Sequence, residues 1–263
     1  MLVDAHVHLL PDRLARAIRR FFVERMPDYG SYPCELAPAR AAIAAAGIAR
    51  CWSLPYAHQP GMARDLNRWM AETFADDAMV VPGATVHPGD DVAREVAEAL
   101  DVLGLRIVKL HCSVGAFAPD DPRLEPLWRH VSTTGSPVVV HAGHAENGLT
   151  SAAELAPLER VAHRWPDARI ILAHCGMPAT SAALDLLRRA PSLHADLTPV
   201  GPMLAPVARD AITGLEDRLL FGSDAPNTTV TIEQAVAHVR ALGLDGDAES
   251  AVLGGTAARL LAA

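Results

Sequence analysis

Short apolar segments of this 263-residue chain end, one after another, in side chains that can bind a metal or move a proton. VDAHVH carries His6 and His8, GATVH ends in His87, RIVKLH carries Lys109 and His111, PVVVH ends in His141, IILAH in His174 and LLFGSD in Asp224. Neutral imidazoles and a carboxylate form a nitrogen–oxygen donor set suited to Zn2+, with Mn2+, Fe2+ or Co2+ as substitutes. A catalytic ion keeps one position open for water and lowers that water's pKa from 15.7 to about 7. Some group must then take the proton and return it to the leaving group, and His174 or Asp224 has the right chemistry. Single residues carry little weight. With 12 histidines in the chain, a His-x-His is expected by chance about half the time, and a lone histidine at a strand end is ordinarily hydrogen-bonded core. The coincidence is what argues. Five such side chains (His6, His8, His141, His174 and Asp224) at matching ends of four segments would be costly to bury in an apolar interior unless they meet an ion.

The elements that must position them read as strands near 2–8, 48–54, 79–87, 105–111, 136–141, 168–174, 192–197 and 218–224. Between them, helical periodicity predicts helices near 35–46, 62–75, 91–103, 122–134, 153–165, 178–190, 203–213 and 231–242. Pro122 and Pro178 near helix starts, and Gly47, Gly104, Gly135 and Gly243 near ends, fit the usual asymmetry of helix caps. Eight strand–helix units in this length predict an α/β fold, a (β/α)8 TIM barrel, as a single domain over 1–263. No GxGxxG or Walker sequence follows any strand, which argues against an open doubly wound sheet. In a barrel the chemistry lies at the C-terminal strand ends. Alternation then turns His6 and His8 to one side with Val7 opposite, and puts Lys109 and His111 on a shared side. Residues 9–34 read as a short helix at 12–25 followed by a loop.

Composition narrows the partners. The net charge is −8, from 23 Lys+Arg against 31 Asp+Glu, so the cationic face that nucleic acid requires is not expected. No stretch resembles a membrane span or a signal peptide, which predicts a cytoplasmic protein with no membrane partner. Cys34, Cys51, Cys112 and Cys175 lie far apart without CxxC spacing, so neither a disulfide framework nor a zinc finger is supported. The expected partner is a small-molecule substrate, and a homodimer is allowed.

The motifs VDAHVH at 3–8, GLRIVKLH at 104–111, PVVVHAG at 137–143, IILAHCG at 170–176 and LLFGSDAP at 219–226 run almost the length of the chain. Through them the sequence resembles the amidohydrolase superfamily, specifically its compact branch similar to aminocarboxymuconate-semialdehyde decarboxylase. The resemblance implies a barrel without the flanking β-sandwich of urease-like relatives. It implies His6, His8 and His141 as metal ligands, Asp224 as last ligand and proton acceptor, and His174 as the group that polarises substrate or orients bound water. Lys109 stands where binuclear relatives carry a carbamylated, metal-bridging lysine. In the compact branch one ion is usual, so Lys109 is expected as an ordinary, unmodified cation that meets a substrate anion. The closing segment GGTAARLL at 254–261 has Thr256 where the family has Asn, a change between two helix-capping residues.

Other residues have weaker claims. His87, His111 and His144 lie on strand ends or following loops and can reach substrate, although His87 fits a supporting role equally well. Tyr29, Tyr32, Tyr56 and Phe117 are candidates for the pocket wall. Asp196 either lines the pocket or anchors a loop. Cys112 and Cys175 each follow an inward histidine and are expected to pack outward, Arg106 is expected to be structural, and His58, His130, His163 and His238 are assigned no function. Three functions are open: a metal-dependent hydrolase of a lactone, amide or cyclic amide, a non-oxidative decarboxylase of an aromatic or enoic acid, and a metal-binding barrel without catalysis. The third sits poorly with residues suited to proton transfer, because structural zinc sites are closed. Hydrolysis is placed first because holding a substrate carboxylate usually takes a guanidinium. The strand ends offer Lys109 but no arginine; the nearest loop arginine is Arg64, and otherwise one must come from a neighbouring subunit.

Overall fold

Runs such as Val138–His141 and Ile170–Leu172 are apolar on both faces, as parallel strands require when helices cover one side and other strands the opposite side. In a computed structural model, which describes residues 1–25, 29–143, 150–200 and 203–262, eight such strands form one parallel sheet in sequence order. They are β1 (Val3–Val7), β2 (Arg50–Ser53), β3 (Val80–Thr85), β4 (Ile107–His111), β5 (Val138–His141), β6 (Ile170–Leu172), β7 (Leu193–Asp196) and β8 (Leu219–Leu220). Ahead of β2 come α1 (Asp12–Val23) and α2 (Leu36–Ala45). The remaining connections carry α3 (Ala63–Thr73), α4 (Val92–Val96, continued by a π turn), α5 (Cys112–Gly115), α6 (Glu125–Thr134), α7 (Ala152–Arg164), α8 (Thr180–Arg189) and α9 (Arg209–Ile212). After β8 follow α10 (Ile232–Ala241), α11 (Gly246–Ser250) and α12 (Thr256–Ala262). The single-domain TIM barrel expected from the sequence is the fold observed.

Two apolar layers follow from strand alternation. Trp52, Val81, Ile107, Val139, Ile171 and Leu220 point into the barrel with Val3 and Ala5, while Val108, Val138, Val140, Ile170 and Leu172 pack outward beneath the helices. α12 closes the barrel floor with Ala257, Leu260 and Leu261. Arg169 donates to the carbonyl of Leu260 at 3.0 Å and Arg106 to that of Leu261, so two strand-start guanidiniums satisfy the last carbonyls of the plug helix. Arg106 is thus structural, as expected. Cys112 and Cys175 lie in the outer layer, also as expected.

Three local differences from the sequence reading have physical causes. The helix expected over 203–213 shrinks to Arg209–Ile212, because Pro206 lacks an N–H and restricts the residue before it, while Val200 and Met203 pair as a short antiparallel bridge. β1 slips register between Asp4 and Val7: Val3 and Ala5 face inward, yet Val7 and Leu9 pack outward. That bulge is what turns both His6 and His8 toward the barrel mouth. β8 is only two residues long, and beyond it the chain closes on β1 through Ala5 N–H to Phe221 O (2.9 Å), Asp224 N–H to His6 O (2.8 Å) and His8 N–H to Ala225 O (2.8 Å).

The closure needs Gly222. A Cβ there would lie 2.8 Å from the Cβ of His6 and collide with the Thr198 hydroxyl. Gly222→Ala is therefore expected to cost roughly 1–3 kcal/mol by overpacking, read as a lowered midpoint in thermal unfolding; an unchanged midpoint would show the seam to be slack.

Candidate active site

At the C-terminal rim the chain leaves its regular strands sharply. His141 and Asp196 are the last residues of β5 and β7, and His111 of β4. His174 lies two residues past β6 in the left-handed region (φ 57°), and Asp224 lies past β8 with φ 63°. The left-handed region is disfavoured for residues with a Cβ, although Asp visits it more readily than most. Here the surroundings hold both residues. The His174 N–H donates to Asp196 Oδ1 at 2.8 Å, and the Asp224 N–H to His6 O. Neither conformation can be read from strand periodicity, which places both residues on strands.

Three side chains converge. His8 Nε2 is 3.0 Å and His6 Nε2 3.9 Å from Asp224 Oδ1, and one donor atom from each of the three lies within 4.8 Å of the others. Each histidine is oriented through its other nitrogen: His8 Nδ1 meets Leu54 O at 2.7 Å and His6 Nδ1 meets Asp196 Oδ2 at 3.0 Å. Donation from both Nδ1 atoms leaves the Nε2 lone pairs facing Asp224, the form in which imidazole ligates a metal. Burial, reinforced by the neighbouring Lys109, pushes the His6 pKa well below its ordinary value and keeps the ring neutral, while burial raises the Asp224 carboxyl against the opposing pull of His8 and Lys109. This donor set fits a divalent cation.

Lys109 is fully buried, with Nζ 3.0 Å from His6 Nε2. Burial lowers its ammonium to about 8 against the stabilising charges of Asp196 and Asp224. Lys109 thus stands beside the nitrogen of His6 that faces Asp224. His141 stands next to the three-residue group, its Nδ1 3.2 Å from His174 Nε2 and its ring stacked on His111 at 4.1 Å between centroids. The Nδ1 of His174 lies 3.2 Å from Pro199 O, and burial depresses its pKa as it does that of His111. A second group of possible donors (His6, His174 and Asp196) is fully buried and already engaged in hydrogen bonds.

The walls sort the weaker candidates. The Tyr56 ring contacts His8 (5.3 Å) and His111 (4.9 Å), and buried Tyr29 has its phenol pKa pushed up by burial and by the charge of Asp224. Tyr32 turns away, its hydroxyl accepting from Ile232 N–H at 2.7 Å. Phe117 packs edge-on against His87, whose Nδ1 accepts from Gly89 N–H and whose Nε2 donates to Gly115 O, so both nitrogens of His87 serve the backbone. His144 lies outside the described residues.

The sequence reading missed two groups, Asp4 and Arg19, and left Asp196 open. Asp4, fully buried, accepts from the Ser223 hydroxyl at 2.6 Å and from the backbone N–H groups of Ser223 and His6, and so ties the strand bearing His6 to the turn bearing Asp224; burial pushes its carboxyl up to about 7. Its spacing two residues before His6 was the available signal. Asp196, open between pocket wall and loop anchor, binds the His6 ring and two backbone N–H groups. Arg19 of α1 donates to the carbonyls of Tyr32 and Pro226, with its Nε buried and unpartnered among the described residues, and its charge acts on Tyr29 alongside that of Asp224. Arg64, by contrast, pairs with Glu98 at 3.1 Å in the helical layer.

No curated protein matches the sequence significantly. Among solved structures, an uncharacterised TIM-barrel protein from Bordetella bronchiseptica is 22% identical with a TM-score of 0.75, over 99% of this chain and 98% of that one. A 5-carboxyvanillate decarboxylase from Sphingomonas paucimobilis is 18% identical (TM-score 0.69, 99% and 98% covered). A second 5-carboxyvanillate decarboxylase, from Novosphingobium aromaticivorans and complexed with manganese and a nitrobenzoic acid, is 13% identical (TM-score 0.72, 100% and 96% covered). These likenesses establish the barrel; the family is established by sequence, since residues 3–262 match the family described as amidohydrolase. The chain belongs to the amidohydrolase family.

Proposed function

We propose that this protein is a divalent-metal-dependent enzyme that decarboxylates a small aromatic carboxylic acid without oxidation. The observation that carries the reading is the convergence of His6, His8 and Asp224 beside a buried ammonium, under a wall of flat rings formed by His111, His141 and Tyr56. Hydrolysis stood first from sequence because no guanidinium was in view. Lys109 supplies the cation beside the converging donors instead, and the solved relatives with a named reaction reported above are decarboxylases.

When bound, the ion supplies Lewis acidity toward the substrate's oxygens. His6, His8 and Asp224 would hold it, with His141 as the fourth ligand that the family resemblance implies. Lys109, as an uncarbamylated ammonium, offsets anionic charge beside His6. The stacked His111 and His141 rings orient an aromatic face. As the bond from ring carbon to carboxylate breaks and carbon dioxide leaves, a proton must reach that carbon, and Asp224 or His174 delivers it. The ion is zinc or, by the precedent of the manganese-bound relative, manganese.

The test is elemental analysis of purified protein followed by a panel of aromatic acids, lactones and amides, with products identified by mass. About one divalent ion per chain and loss of carbon dioxide from an aromatic acid are expected. Addition of water to a lactone or amide, with every acid inert, would return hydrolysis to first place.

A further inference from the structure

Asp196 is fully buried at the end of β7 and its two oxygens do different things. Oδ2 meets the His6 ring at Nδ1, 3.0 Å away. Oδ1 accepts the N–H groups of His174 (2.8 Å) and Thr198 (3.2 Å), the first of which belongs to a left-handed residue. One carboxylate thus spans the strand carrying a proposed metal ligand and the turn presenting a proposed proton donor. We infer that Asp196 is a positioning residue that holds His6 as its Nδ1–H tautomer, baring Nε2 for the metal, while it fixes the turn that aims His174 at the same site.

An independent contact supports the tautomer. Lys109 Nζ lies 3.0 Å from His6 Nε2, and an ammonium has only protons to offer. With Lys109 as an ammonium, His6 Nε2 is the accepting nitrogen and the proton sits on Nδ1, opposite Asp196. The Thr198 hydroxyl, 3.4 Å from the same Nδ1, can rotate to suit either tautomer and does not decide between them. A loop anchor alone would need only Oδ1. The second oxygen on an imidazole is the feature that a purely structural role leaves unexplained.

The inference rests on the proposed metal site, so its test separates the two. Asp196→Asn can keep its oxygen on the His174 and Thr198 N–H groups, but its NH2 can only donate to His6 Nδ1, which drives the proton to Nε2. Asp196→Ala loses both functions. In metal-free wild-type protein, nitrogen-15 NMR of labelled histidines, with His6 assigned through His6→Gln, is expected to show the Nδ1–H form. Asp196→Asn is expected to shift His6 to the Nε2–H form and to weaken zinc or manganese binding, measured by chelator competition, about 10–100-fold. Its unfolding midpoint should stay within about 4 °C of wild type, whereas Asp196→Ala falls further. A wild-type His6 protonated at Nε2, or an Asp196→Asn protein with wild-type metal affinity, would overturn the inference. If wild-type protein binds no divalent ion, the proposed function fails, while the NMR result still judges Asp196.

Discussion

His6→Ala/His8→Ala protein is expected to purify with only a trace of divalent metal and to lose at least about a thousandfold in turnover. Mutating a group that merely orients a ligand typically costs 10–100-fold in affinity or activity, and this variant removes two of the three converging donors, leaving Asp224. The two positions differ in what else they disturb. His8 touches Leu54 O through Nδ1 and Asp224 Oδ1 through Nε2, so His8→Ala alone frees a backbone carbonyl and one contact of a carboxylate that is not fully buried. His6→Ala also deprives Lys109 and Asp196 of their shared partner, and breaking a buried charged network by removing one member is strongly destabilising. His8→Ala is therefore the cleaner control: it should keep a near-native unfolding midpoint and still lose metal. Elemental analysis after dialysis reads the result, and a double variant that retained its full metal content would remove His6 and His8 from the ligand set.

What the sequence makes legible is whatever obeys a period. Two-residue alternation places Ile107, Lys109 and His111 on the inner side of β4 and Val108 and Leu110 outside, as observed, and it leads to His141 by the same count. It fails where the backbone leaves the period. The slip in β1 exchanges its faces between Ala5 and Val7, and left-handed turns carry His174 and Asp224 off their strands. Those two residues still arrive at the rim, because the turns start from strand ends that are themselves correctly placed. Groups that act through long side chains are hidden more deeply. Arg19 sits in the short helix read at 12–25, to which no role is attached, yet it reaches the carbonyl of Pro226, 207 positions away in the chain. Arg64 looks better placed by sequence, but Glu98 holds it in the outer layer. Asp4 and Asp196 show the general difficulty: a buried carboxylate announces that it needs partners, and only the fold says which ones.

Asp224→Asn is expected to separate the positioning of this residue from its chemistry. Asn accepts the left-handed conformation as readily as Asp, so the turn at φ 63° and its N–H bond to His6 O should survive, and the fold with them. The amide oxygen can still occupy the place 3.0 Å from His8 Nε2, although as a neutral ligand it binds a divalent cation more weakly than a carboxylate. The amide cannot take up or release a proton at the reacting centre. Loss of a positioned acid–base group costs about 10^2–10^4-fold in rate, and kcat should carry that loss at saturating metal, with KM for the substrate little changed. His174→Asn serves as the comparison. If Asp224 is the proton carrier, its variant falls further than that of His174 once both are loaded with metal. If the order is reversed, His174 takes the role and Asp224 remains a ligand. An Asp224→Asn enzyme with wild-type turnover would exclude Asp224 from the chemistry, whatever its effect on metal binding.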